Sequence, residues 1–149
     1  MPLSAPQELV LTECVANIVP SVTWCIFGST NSVLRGLDDD PSDIDILTTE
    51  SGAHQIRETF SDAFVGTHEI GVSQIDEYQM HGEDLEVLFS TREKDHQEPL
   101  VDLDTVECET TVDRGVPLLP LDSLVEAYRK IDKHHTADRL EDKFNLTDS

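Results

Sequence analysis

The stretch Phe27–Glu50, "FGSTNSVLRGLDDDPSDIDILTTE", decides the reading of this chain. An apolar run ends in Gly28-Ser29, a polar loop with a Pro follows over residues 38–42, and a second apolar segment opens with Asp43 and Asp45 on either side of Ile44. Upstream, Val22–Phe27 ("VTWCIF") is short, apolar and rich in strand formers, which predicts a buried strand. Ile44, Ile46 and Leu47 predict a second. Side chains alternate along a strand, so Asp43 and Asp45 share one face, roughly 7 Å apart, and Ile44 and Ile46 share the other. Like charges that close repel unless something positive lies between them, and a divalent cation is the simplest such partner. An EF-hand does not fit. Counted from Asp38, the sixth position is Asp43 where the turn requires Gly, and the twelfth is Thr49 where the loop requires Glu.

A third acid fits the same pattern. "LEVLF" places Glu86 between Leu85 and Val87 in a predicted strand, where an acid is costly unless exposed, paired or bound to metal. If that strand lies beside Asp43 and Asp45, the three carboxylates form one cluster. Gly28 after the first strand lets backbone amides approach a phosphate, and the Ser29 hydroxyl adds a donor. A short helix or turn over residues 31–36 would aim its N-terminus at the same anion.

The remaining sequence predicts a mixed architecture. Ser4-Ala5-Pro6-Gln7 reads as a capping box, and Leu11, Cys14, Val15 and Ile18 mark one helical face. Thr48 or Thr49 caps a second helix with Ala53, Ile56 and Phe60 inward. "FVGTHEIGV" and "IDEYQM" predict strands, and "HGED" a hairpin turn leading into "LEVLFS". Residues 91–99 are polar and read as loop, and "VDLDTVECETTV" is ambiguous between helix and strand. "RGVPLLPLD" reads as a turn and short strand. Pro120 opens a helix to about Ile131 with Leu121, Leu124, Val125 and Tyr128 inward, and a last helix covers about Ala137–Phe144. The order predicts an α+β fold: one domain over 1–149 with a mixed β-sheet and helices packed on one side, its core over about 5–110 and C-terminal helices over about 120–146.

Composition bounds the function. Asp and Glu number 31 against 10 Lys and Arg, giving a net charge of −21 with only four lysines. General nucleic-acid binding is disfavoured, because phosphate backbones select positive surfaces. The acids are interleaved with apolar residues rather than gathered in a tail, so a folded acidic surface is expected. Acid excess with scarce lysine resembles proteins of salt-loving archaea. No apolar run approaches 18 residues and no secretory signal is visible, so no membrane association is expected. Cys14, Cys25 and Cys108 lack paired or metal-like spacing and read as reduced thiols, which fits the cytoplasm. The six histidines show no ligand spacing.

Gly28-Ser29, a 13-residue spacer and Asp43-Ile44-Asp45-Ile46 resemble the signature of the DNA-polymerase-β-like nucleotidyltransferase superfamily. Glu86 stands where the third family acid stands, on a later strand after a hairpin. The resemblance covers about residues 20–90 and is closest to small stand-alone members: minimal nucleotidyltransferases, antitoxin partners of helical toxins, and antibiotic nucleotidyltransferases. It implies that Asp43, Asp45 and Glu86 hold two Mg²⁺ ions, with Mn²⁺ as an alternative. Gly28 and Ser29 would bind the phosphates of a nucleoside triphosphate, and the nucleoside monophosphate would pass to a hydroxyl of a small molecule or protein with release of pyrophosphate. "LDSLVEAYRKIDKHH" resembles the region that carries a nucleotide-binding lysine in the antibiotic-modifying members, which implies Lys130. The family's Arg-x-Lys-Asp close is not cleanly present in "DRLEDKF". Two other readings share the site: an antitoxin-type member that pairs with and modifies or masks a helical toxin, and an inactive nucleotide-binding scaffold.

A charge of −21 makes a salt response the first test. The Debye length falls from about 10 Å at about 0.1 M salt to about 3 Å at about 1 M, so self-repulsion is screened. The melting temperature should therefore climb steeply between about 0.1 and 2 M KCl. A flat profile over that range would remove the inference of salt adaptation.

Overall fold

The computed structural model describes residues 3–36, 41, 43–70, 73–90, 101, 103, 106–111 and 115–144. The polar loop expected over 91–99, most of that over 38–42, and positions 145–146 of the expected C-terminal helical region lie outside the described residues. Helix α1 (Ala5–Asn17) begins at the expected capping box, in which Ser4 accepts from the Gln7 backbone and the Gln7 side chain accepts from the Ser4 backbone. Strand β1 (Trp24–Phe27) runs directly into α2 (Gly28–Leu34), and β2 (Ile44–Thr48) leads to α3 (Glu50–Thr59), capped by Thr49. A 3₁₀ turn (Ser61–Ala63) precedes β3 (Phe64–Ile70), β4 (Ser73–Met80) and β5 (Glu83–Ser90). Two short strands, β6 (Glu109–Thr110) and β7 (Pro117–Leu118), precede α4 (Leu121–Lys130) and α5 (His134–Lys143). No helix among the described residues is long and apolar enough to cross a membrane.

All seven strands join one mixed sheet in the order β3-β4-β5-β2-β1-β7-β6. β2 pairs antiparallel with β1 and parallel with β5, so the three predicted strands Val22–Phe27, Ile44–Leu47 and Leu85–Phe89 are neighbours at its centre. The hairpin between β4 and β5 turns on His81 and Gly82, whose φ values of 54° and 77° are the left-handed pair that a two-residue turn of this kind demands.

The predicted α+β fold with a mixed sheet is the one that forms. Ile26, Ile44, Ile46, Leu85 and Val87 point to one face, where α1 supplies Val10, Leu11 and Cys14 and α3 supplies Ala53 and Ile56. The expectation of helices on one side describes α1 and α3. The C-terminal pair takes the opposite face, where Cys25, Phe27 and Leu47 meet Leu124, Val125 and Tyr128 of α4 and Ala137 and Leu140 of α5. The central strands are apolar on both faces, so a second helical layer is needed to cover them. Burying a side chain such as Ile44 or Ile46 stabilises by about 1.5–3 kcal/mol, and a one-residue slip of β2 would exchange those isoleucines for Asp43 and Asp45. Burial of the isoleucines therefore fixes which way the acids face.

Gly28 makes the join between β1 and α2 possible. Its φ is +71°, and a Cβ there would stand 2.4 Å from Asp45 Oδ2. A side chain would thus meet both a left-handed backbone and a carboxylate already in place. Gly28→Ala should lower the melting temperature by several degrees, since the backbone term alone costs roughly 1–2 kcal/mol. Gly66→Ala, where nothing lies within 4 Å of the added Cβ, should leave it nearly unchanged. Equal melting temperatures for the two variants would contradict this packing.

Candidate active site

The register delivers the acids. Asp45 pairs with Phe27 on β1 and with Glu86 on β5, so the two carboxylates stand side by side on one face, and Asp43 lies two residues earlier, just before β2 begins. One oxygen from each of Asp43, Asp45 and Glu86 lies within 4.8 Å of the others. Asp45 and Glu86, 41 residues apart on two strands, and Asp43 at the residue before β2 thus converge on a space of ionic size.

Several polar contacts hold this corner. Thr30 Oγ1 donates to the Asp43 carbonyl at 3.0 Å, tying α2 to the start of β2. Asn31 is fully buried, and its Nδ2 donates to the carbonyls of Ile26 (2.8 Å) and Leu119 (2.9 Å), pinning α2 to β1 and to the end of β7. Gln7 Nε2 donates to the Pro41 carbonyl at 2.6 Å, so α1 holds the approach to Asp43. Sequence reasoning singled out Gly28 and Ser29 here and missed Thr30 and Asn31. The signal was present: a hydroxyl- and an amide-bearing residue three and four positions after a buried strand are within reach of backbone carbonyls that need donors.

Electrostatics separate these acids from a structural one. Asp76 on β4 is fully buried, yet it is answered by Arg57 Nη2 at 2.8 Å and by the Thr67 hydroxyl at 2.6 Å. Among the described residues Asp45 has no such cation in contact, and its buried Oδ1 has no hydrogen-bond partner. Burial, then the charges of Asp43 and Glu86, then a hydrogen bond to Glu86 push the Asp45 carboxyl up to about 8, against a weaker opposing pull from Lys133. Asp43 is also raised, by burial and by Asp84, with Lys133 again opposing. Glu86 is raised by burial and by Asp43; its hydrogen bond with Asp45 works the other way. Without a cation the triad therefore holds a proton, most firmly on Asp45.

The donor set suits a hard divalent ion. It offers only carboxylate oxygens, which is what Mg²⁺ and Mn²⁺ select, and the orphaned Asp45 Oδ1 is an acceptor awaiting a partner. Gly28 is buried and Ser29 half-buried at the first turn of α2, on the β1 side of the triad. Lys130 closes α4, with Nζ 3.7 Å from Glu126. Lys133, at the start of α5, is the lysine whose charge acts on both Asp43 and Asp45.

The sequence matches no family model and no curated protein. Its structure is similar to that of TM1012 from Thermotoga maritima, a protein classed as a nucleotidyltransferase, at 25% identity and a TM-score of 0.68 over 98% of each chain. It is also similar to ANT(2")-Ia, solved in complex with adenylyl-2"-tobramycin, at 14% identity and a TM-score of 0.59 over 92% of this chain and 87% of that one. At the lower identity the likeness is one of fold. The chain has the nucleotidyltransferase fold, with Asp43, Asp45 and Glu86 meeting at one point on its central sheet.

Proposed function

We propose that the protein is a metal-dependent nucleotidyltransferase of the DNA-polymerase-β-like superfamily, moving a nucleoside monophosphate from a nucleoside triphosphate to a hydroxyl acceptor. The observation that carries this reading is the triad itself: three carboxylates within 4.8 Å, one with a buried unpartnered oxygen, beside a turn with no side chain at Gly28. Asp43, Asp45 and Glu86 would hold Mg²⁺ or Mn²⁺. When bound there, such an ion supplies Lewis acidity to the phosphoryl group and lowers the pKa of the acceptor hydroxyl.

The chain's own groups have distinct tasks. The backbone at Gly28-Ser29 and the Ser29 hydroxyl bind the departing phosphates. Lys133, which already offsets the charge of Asp43 and Asp45, joins Lys130 as a cation for the triphosphate. Glu86 is the more exposed of the paired acids and stands farther from β1, where it receives the acceptor's proton.

The test is Mg²⁺-dependent pyrophosphate release in molar KCl, with each nucleoside triphosphate and a range of hydroxyl acceptors. Asp43→Asn, Asp45→Asn and Glu86→Gln should each bring release to background with the fold intact. Ser29→Ala should be milder, because one hydrogen bond to a charged group is worth about 1.5–3 kcal/mol and the backbone donors remain. Wild-type release from the Asp45→Asn protein would overturn the assignment.

A further inference from the structure

Helix α2 has little of its own to hold it. It is seven residues long, opens on Gly-Ser-Thr-Asn, and its N-cap Phe27 makes no side-chain capping bond. The Gly28-Ser29 turn therefore depends on contacts made farther along the helix. Thr30 supplies one, to the Asp43 carbonyl. Others pass through Arg35, at the helix's far end.

Arg35 closes a hydrogen-bond network around Asn31. Its Nε donates to Asn31 Oδ1 at 2.8 Å, and its Nη2 donates to the Leu119 carbonyl at 2.9 Å. Asn31 Nδ2 donates to the carbonyls of Ile26 and Leu119, and the Leu119 N–H donates to the Ile26 carbonyl at 3.2 Å. Asn31 is fully buried, so these partners decide which way its amide faces. With the Arg35 Nε–H on Oδ1, Nδ2 faces the two carbonyls. Without that donor a buried oxygen is orphaned, and a flipped amide would set oxygen against oxygen.

A simple ion pair does not account for this arrangement. The carboxylate partner of Arg35, Glu109, is 57% exposed, whereas the Arg35 side chain is 14% exposed. The ion pair is the outer contact, where water and salt weaken it. The inner contacts go to two neutral oxygens and need donors fixed in two directions. A lysine would carry the charge but not the planar fork.

Leu119 extends the network's reach. It directly precedes Pro120, the N-cap of α4; Lys130 ends α4, and Lys133 is the N-cap of α5. Arg35 and Asn31 thus fasten the phosphate turn to the root of the segment that carries both lysines. Groups from two distant parts of the sequence must keep a fixed offset to act on one ligand.

We infer that Arg35 is a positioning residue for the triphosphate: it orients Asn31 and so holds the Gly28-Ser29 turn in register with α4 and α5. The inference rests on the triad being the transfer site. Arg35 touches no reacting group, so its effect falls on the phosphates that the turn grips and not on the rest of the nucleotide.

The test is the ratio of affinities for a triphosphate and a monophosphate. Non-hydrolysable analogues of each nucleoside triphosphate, and the matching monophosphates, are titrated calorimetrically in molar KCl with Mg²⁺. In Arg35→Lys the preference for triphosphate should fall at least about tenfold, with monophosphate affinity within about twofold of wild type. Glu109→Gln, which removes only the outer contact, should keep the preference within about twofold. An unchanged preference in folded Arg35→Lys, even with a lower melting temperature, would make Arg35 merely structural and overturn the inference. An equal fall in Glu109→Gln would assign the effect to the ion pair and overturn it too. The wild type gives a check that needs no variant. Its Arg35 Nε–H should exchange slowly with solvent by NMR, and exchange as fast as a free guanidinium would contradict the network. A wild type that binds no Mg²⁺–triphosphate refutes the transfer reading and this inference with it; one that binds, beside an Arg35→Lys protein of unchanged preference, refutes the inference alone.

Discussion

Repulsion among Asp43, Asp45 and Glu86 is the constraint around which the rest of this structure is organised. Three carboxylates within 4.8 Å are an arrangement that folding alone does not favour. The sheet imposes it. Ile44 and Ile46 must be buried against α1 and α3, and the pairing of β2 with β5 must align Ile46 with Val87. Once both hold, Asp45 and Glu86 are side by side with no freedom to separate. The core thus forces the acids together, and the metal-free protein responds by retaining a proton on Asp45.

The parts around the triad make the same geometry exact from other directions. Gly28 lets the chain pass within contact of Asp45 Oδ2. Asn31 satisfies the carbonyls left where β1 and β7 end, and Thr30 holds the backbone of Asp43. α1 reaches the same corner through Gln7. None of these residues is charged. The arginines in ion pairs among the described residues answer other acids: Arg57 serves Asp76, Arg129 bridges Asp138 and Glu141, and Arg35 pairs with Glu109 while also donating to Asn31 and the Leu119 carbonyl. Among the described residues, the buried structural acid Asp76 has an arginine in contact, whereas no arginine ion pair reaches Asp43, Asp45 or Glu86.

Much of this was legible in the sequence, because it depended on local rules. The period-two pattern at Ile44 and Ile46 gave the strand and the shared face of its acids. The Ser4–Gln7 box and the Thr49 cap gave helix starts, and His81-Gly82 gave the hairpin. What escaped depended on distant partners. α2 begins at Gly28 rather than near Asn31, although Gly, Ser, Thr and Asn are poor helix formers; tertiary hydrogen bonds from Thr30 and Asn31 override propensity. β7 falls within the short strand expected over residues 114–122, but β6 is two residues long, too short to resolve the helix-or-strand ambiguity of the stretch that holds it. The second helical layer was hidden because apolar residues on both faces of a short strand do not say what covers them. Lys133 follows a break between two helices, where no helical period links it to Lys130 or to the acids.

The proton held at the triad gives the most direct measurement. Asp45 stands at about 8 in the metal-free fold, far above an ordinary carboxyl, so the folded state binds more protons than the unfolded chain between about pH 4 and 8. Over that interval this group's contribution to metal-free stability falls as pH rises. A divalent ion requires the deprotonated form, so binding below about pH 8 must expel a proton. Calorimetry of Mg²⁺ alone, in buffers of different ionisation heat between pH 6 and 9, reads this stoichiometry. The expected result is an affinity that falls about tenfold per pH unit below 8, with close to one proton released per ion bound, and no such release in Asp45→Asn. Mg²⁺ binding that is independent of pH over this range, or absent from the wild type, would contradict a metal site built on these three acids.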